Sequence, residues 1–209
     1  MILSNVAMWK ALDEKRLVLS PEPAPRQLSI GSAGDYCPYD THAVDLTLGT
    51  EITVPELGTY AYDLMQPAPL AGFIERNSRR YSIDQHSHYV LERQQFILAQ
   101  TREVVWLPID HPTNVKKKRC LAARIEGKSS RARVGLLIHF TAPTVHPGWR
   151  GQLTLEMINL GPARILLRPG MPIAQLIVEE VRGLPIFNKS QFQGQVTPSG
   201  LPAETPKKT

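Results

Sequence analysis

The sequence predicts a mainly β fold, a barrel or sandwich of short strands preceded by one N-terminal helix. Three observations predict it. Eighteen prolines and 14 glycines punctuate the 209 residues, so long regular elements are cut short. From about position 43 onward apolar residues recur with period two rather than 3.6. The 42% hydrophobic and 21% charged content is that of a globular chain with a core to bury. No self-similarity occurs at the solenoid periods of about 20–50 residues.

The helix comes first. Ser4 is placed to cap it, Leu3 and Met8 hold the positions of a hydrophobic staple, and Val6, Trp9 and Leu12 form an apolar stripe. Pro21, Pro23 and Pro25 then exclude regular structure, and residues 26–40 read as an irregular loop. Val44, Leu46 and Leu48 alternate with Asp45 and Thr47, and Gly49 is expected to end that strand. Residues 50–88 carry only weak alternation around Ile52 to Leu57. Further strands are expected over residues 89–98, 104–107, 136–140, 152–157, 165–167 and 173–178. Residues 1–209 thus read as a single domain, with 183–209 as a flexible C-terminal tail or lid.

Composition narrows the function classes. No apolar run approaches the roughly 18–20 residues that span a bilayer, and the N-terminus lacks the apolar core of a signal peptide, so a cytoplasmic protein is expected. The net charge of +5 is densest at Lys116-Lys117-Lys118-Arg119, which reads as a solvated loop. No aromatic-interleaved patch accompanies it, so nucleic acid is disfavoured and a small polyanion accounts for the charge equally well. The two cysteines, Cys37 and Cys120, stand apart. The zinc-deaminase pattern, His-x-Glu followed by Pro-Cys-x-x-Cys, is absent, and so is any zinc-ligand cluster. No protein-held metal is expected.

Residues 127–156 carry the most chemistry. Gly127, Lys128, Ser129 and Ser130 precede Arg131 and Arg133, a set of hydroxyl, ammonium and guanidinium donors suited to a polyphosphate. A Pro147-Gly148 turn then leads into Gln152 to Met157. There Leu153, Leu155 and Met157 share one face, while Thr154 and Glu156 share the other. Glu156 is therefore either a pocket carboxylate fit for acid/base work or an exposed strand carboxylate in an ion pair.

Segments across nearly the whole chain resemble the deoxycytidine triphosphate (dCTP) deaminase family of the deoxyuridine triphosphatase (dUTPase)-like superfamily. They are Met1 to Ser4, Ala43 to Gly49, Phe96 to Glu103 with Leu107-Pro108, Gly127 to Arg133, Leu167 to Met171 with Gln175-Leu176, and Gln193 to Gln195. The resemblance implies a distorted dUTPase-like β-barrel of the β-clip type, assembled as a homotrimer with active sites between subunits. It also implies a magnesium ion that arrives on the triphosphate rather than in a protein cage.

Carried over residue by residue, the resemblance makes Glu156 the general acid/base for hydrolysis of dCTP to deoxyuridine triphosphate (dUTP) and ammonia. Ser129 would orient the attacking water or a phosphate oxygen, and Arg133 would clamp phosphate or hold the carboxylate. Ala142 would fix the water or the amine through its backbone carbonyl. Lys128, Ser130 and Arg131 belong to the same donor loop; Lys128 replaces an arginine and keeps the charge without the planar fork. Trp149 is a wall of the base pocket or a core or interface tryptophan, and Thr154 shares the face of Glu156. In the tail, Gln195 keeps the family's residue, while Gln191 and Phe192 replace a lysine and a tyrosine.

His146 separates the enzyme readings. Bifunctional relatives and dUTP pyrophosphatases carry an aspartate there to activate water against the phosphate chain, and a histidine lacks that negative charge. The deaminase reading stands first. A dUTP pyrophosphatase or bifunctional enzyme is the alternative, and a non-catalytic nucleotide-binding regulatory barrel is the second.

Overall fold

The computed structural model describes residues 1–28, 36–56, 58, 61–63, 65, 70–109, 120–183 and 185–202. The basic run Lys116 to Arg119 lies outside them. In chain order the elements are α1 (Asn5–Asp13), β1 (Val18–Ser20), β2 (Val44–Pro55), α2 (Leu70–Arg76), β3 (Ser78–Ser82), β4 (Tyr89–Leu91), β5 (Phe96–Trp106) and β6 (Leu121–Gly127). They continue with α3 (Ser129–Ala132), β7 (Leu136–Leu137), β8 (Thr144–Val145), β9 (Arg150–Asn159), β10 (Ile165–Leu167) and β11 (Pro172–Glu180).

Among the described residues the main sheet has nine strands. Its path is β7-β9-β5-β2-β11-β6-β8, with β1 added on β5 and β3 on β2. All pairings are antiparallel, and β10 with β4 makes a separate two-stranded ribbon. The sheet curls into a half-barrel around one core. Leu46, Leu48 and Ile52 of β2 meet Leu155 and Met157 of β9 and Leu176 of β11 there, all fully buried. Each such side chain contributes about 1.5–3 kcal/mol of hydrophobic stabilisation. No helix among the described residues is long and apolar enough to cross a membrane.

The N-terminal helix forms where expected, with the Ser4 hydroxyl accepting from Ala7 N at 3.3 Å. Its apolar stripe is rotated from the expected one. Met8, Ala11 and Leu12 are buried, Trp9 packs edge-on against Tyr39, and Val6 is exposed. The helix is held flat against one sheet edge, because Leu3 N donates to Val178 O of β11. Ala7, Met8, Trp9, Ala11 and Leu12 face the core, and of the expected stripe only Val6 turns outward.

Gly49 does not end its strand. β2 continues to Pro55, and its register against β5 shifts between Leu48 and Ile52. A Cβ at Gly49 would lie 3.1 Å from Gln100 O, so the glycine marks a close approach beside the irregularity. The continuous strand expected over 89–98 is broken into β4 and β5 by residues 92–95, where Gln94 adopts φ 59°. The strand expected over 104–107 is the end of β5. In β6, Leu121, Ala123 and Ile125 alternate inward, a pattern muted by alanines.

Candidate active site

The strand carrying Glu156 alternates as its sequence predicts. Leu153, Leu155 and Met157 are buried in the core, whereas Thr154 and Glu156 are half-buried on the opposite face. Thr154 stands across from Gln100 of β5, and Glu156 across from Leu98. Phe140 N donates to the Glu156 Oε2 at 3.4 Å.

A cavity of about 370 Å³ opens on this face. Glu156, Thr154, Ala142, His146, Trp149 and Gln195 are among the residues that line it. The arm from Ala142 to Trp149 reaches the site because β8 pairs with β6 and Ile125 N donates to Pro143 O at 2.9 Å. His146, Pro147, Gly148 and Trp149 make a tight turn closed by Trp149 N donating to His146 O at 3.1 Å. Proline at its second position and Gly148 at φ 85° in its third fit a type II turn. A Cβ at Gly148 would come within 2.5 Å of the Phe187 ring.

The C-terminal segment lies along the same strand. Gly194 N donates to Arg150 O, and Gln152 N donates to Gln195 O. The Gln195 Nε2 donates to Gln152 O at 2.7 Å and to the Thr154 Oγ1 at 3.0 Å, while that hydroxyl donates to Pro198 O. Ser199 then donates to Glu75 of α2, whose carboxylate also pairs with Arg80 of β3. Gln191 is exposed and does not line the cavity, although its neighbours Ser190 and Phe192 do.

The donor loop is elsewhere. Ser129, Ser130 and Arg133 are exposed on or just after α3 and do not line the cavity. That short helix is anchored beyond the far end of β9, where Leu160 N donates to Gly135 O. Arg131 is half-buried, its Nε without a partner. Lys128 reaches inward, its Nζ 2.5 Å from both carboxylate oxygens of the buried Asp45. Tyr36 and Gln175 also donate to Asp45, and burial together with the Asp45 hydrogen bond pushes the Tyr36 phenol well above its usual range.

Sequence reasoning therefore finds six residues that one chain gathers: Glu156, Ala142, His146, Trp149, Thr154 and Gln195. It misses the wall supplied by Leu70 and Ile74 of α2, which lies in the stretch without periodicity. It misses Ser199 as well, which carried no signal outside the fold. Among the described residues no three His, Cys, Asp or Glu side chains are grouped to hold a metal. Among the described residues Glu156 is the sole carboxylate lining the cavity.

Known proteins resemble this chain in sequence and fold. The sequence profile of the dCTP deaminase-like family matches residues 2–181. The chain is 33% identical over 181 residues to the dCTP deaminase of Rhodospirillum rubrum, covering 86% of this chain and 82% of that one. It is 32% identical over 177 residues to the dUMP-forming dCTP deaminase of Methanopyrus kandleri, covering 84% and 80%. The crystal structure of 2'-deoxycytidine 5'-triphosphate deaminase from Agrobacterium tumefaciens superposes with a TM-score of 0.58 at 17% identity. That superposition covers 85% of this chain and 48% of the crystallised one, so this chain spans about half of it, and the likeness is one of fold. With a profile match over nearly the whole folded region and relatives a third identical, the chain belongs to the dCTP deaminase-like family.

Proposed function

We propose that this protein is a dCTP deaminase that hydrolyses dCTP to dUTP and ammonia. One observation carries the reading: among the described residues the only carboxylate of the cavity is Glu156, held on the polar face of a core strand beside Ala142, Thr154 and Trp149. In the reaction a C4–O bond forms and the C4–N bond breaks. Glu156 takes one proton of the attacking water and delivers it to the ring nitrogen N3, then takes the second from the new C4 hydroxyl and delivers it to the departing amine. The Ala142 carbonyl orients the water or the amine. His146 lies toward the sugar, Trp149 walls the base, and Gln195 closes the cavity from the tail.

Ser129 and Arg133 act from a neighbouring subunit in a homotrimer. Their exposure and their distance from the cavity along the sheet support this, as do the exposed apolar residues Val134 and Leu160 beside them. Ser130, Arg131 and Gln191 complete the phosphate contacts, and Lys128 reinforces that loop through Asp45. Magnesium rides on the triphosphate and neutralises part of its charge. Such an ion keeps most of its water and phosphate ligands and needs no dedicated protein cage. The nucleotide substrate places the protein in the cytoplasm.

The second reading is the bifunctional one, favoured by the dUMP-forming name of a relative almost as similar as the first. His146 in the cavity, in place of an acid, speaks against it. Incubation with dCTP and magnesium, with products separated by chromatography, distinguishes the two. We expect dUTP and ammonia without pyrophosphate. Stoichiometric pyrophosphate selects the bifunctional enzyme, and unchanged dCTP leaves a binding barrel.

A further inference from the structure

A second cavity, of about 550 Å³, lies behind the first. The two share Leu70, Ile74, Leu98, Ala142 and Glu156, so they are continuous and the carboxylate belongs to both. The second cavity has a different character. Phe96 and Phe140 meet edge-on at 5.7 Å between ring centroids, and Tyr62 and Phe73 pack at 4.7 Å. Among the described residues Glu156 is its only carboxylate. The Phe140 backbone amide that faces the Glu156 Oε2 belongs to a residue of this aromatic wall.

Cytosine gives this arrangement a use. When Glu156 serves C4 and N3, the remaining neighbour of C4 is C5. In cytosine that atom carries only hydrogen and offers nothing for a polar group to bind. An aromatic hollow next to the carboxylate exceeds what an unsubstituted C5 edge fills. It suits a methyl group, which gains dispersion contacts and loses water there.

We propose that the enzyme also deaminates 5-methyl-dCTP, with the methyl seated in the aromatic cavity, and so produces thymidine triphosphate. The step balances as for cytosine. Water adds its oxygen to C4, the C4–N bond breaks, ammonia leaves, and the C5 methyl takes no part. The inference rests on the deaminase reading and adds a substrate class to that site. The product is a normal DNA precursor, so the reaction would remove a methylated nucleotide before a polymerase could use it.

The test is a competition between dCTP and 5-methyl-dCTP with magnesium, with uracil and thymine nucleotides quantified by chromatography. We expect kcat/KM for the methylated substrate within about tenfold of that for dCTP, because an apolar pocket discriminates weakly against one added methyl. Thr141→Phe, at an exposed position lining only the second cavity, should lower the methylated-to-plain ratio by about tenfold or more. Phe96→Trp narrows the opposite wall and should act in the same sense. Normal turnover of dCTP with thymine nucleotide below about one hundredth of it overturns the proposal. A ratio unmoved by both variants overturns the placement of the methyl. If neither substrate is deaminated, the deaminase reading itself fails and the inference falls with it.

Discussion

The Lys128 ammonium and the Asp45 carboxylate form a buried ion pair, with Nζ 2.5 Å from each oxygen and only 4% of the Asp45 side chain exposed. It ties the start of the donor loop to the middle of the sheet, because Asp45 belongs to β2 and Lys128 directly precedes α3. A cation committed in this way is first of all a structural group. Lys128→Met should therefore destabilise the protein by about 3 kcal/mol, since a buried carboxylate is left with neutral donors alone. Chemical denaturation of both proteins measures it, and equal midpoints would show that the pair contributes nothing.

Glu156→Gln preserves shape and removes the proton acceptor. We expect kcat to fall by about 10²–10⁴-fold while dCTP still binds, because losing a general acid/base affects the step and leaves the pocket intact. Titration calorimetry beside steady-state rates separates the two effects. Turnover at the parental rate would move the chemistry to another residue.

The proposed sharing of sites between subunits makes a distinctive prediction for mixtures. Glu156→Gln and Arg133→Ala should each be inactive alone. Unfolded together and refolded, they should recover activity approaching about one quarter of the parent, the share of sites that draw both intact halves from different subunits. Light scattering should give about 70 kDa, three times the 23.4 kDa chain. Continued inactivity of a mixed trimer would place Ser129 and Arg133 outside the site.

Truncation before Gln191 removes Gln195, Pro198 and Ser199 from the cavity but leaves every strand. The assembly should stay folded, with KM for dCTP raised or kcat lowered as water reaches the site. Limited proteolysis adds a direct readout. Cleavage between Phe187 and Gly200 should slow when nucleotide saturates the enzyme, and an equal rate in both states would exclude a lid.

Stability should also vary with acidity through Glu103. Burial raises the pKa of this carboxyl, while hydrogen bonds from Thr47 N at 2.9 Å and Thr47 Oγ1 at 2.6 Å oppose that shift. Because the folded value is the higher one, the native state holds more protons than the unfolded chain between the ordinary carboxylate range and the raised value. Stability therefore falls as pH rises through that window. Melting temperatures across acidic pH should show the decline, and Glu103→Gln should flatten it. An unchanged slope in the variant would assign the decline to other groups.

Much of this architecture was legible in the residues. Alternation from Gln152 to Met157 placed Glu156 on the pocket face, and the Pro147-Gly148 pair announced the turn beside His146. Where the reading failed, local pattern and tertiary contact diverged. Gly49 reads locally as a terminator, yet in the sheet it relieves a clash with Gln100. In β6, Ala123 hides a core position, because a methyl group adds little to a hydrophobic pattern while filling its place. α2 left no clear trace: only Ala71 of its residues is buried, and its wall beside Glu156 exists only in the folded chain. That Ser129 and Arg133 lie away from the cavity could not be read from spacing, which reports neighbours along the chain and not across the sheet.

The contact between Gly148 and Phe187 has a mechanical consequence. The turn that presents His146 and the base of the tail press on one spot, with no room there for even a methyl group. A nucleotide that shifts the turn by a fraction of an ångström has no compressible layer to absorb the motion, since packed atoms resist overlap far more steeply than hydrogen bonds resist bending. The tail root must yield or block. In this sense the pair works as a gear tooth: whatever shifts the turn also sets the angle at which the chain leaves it.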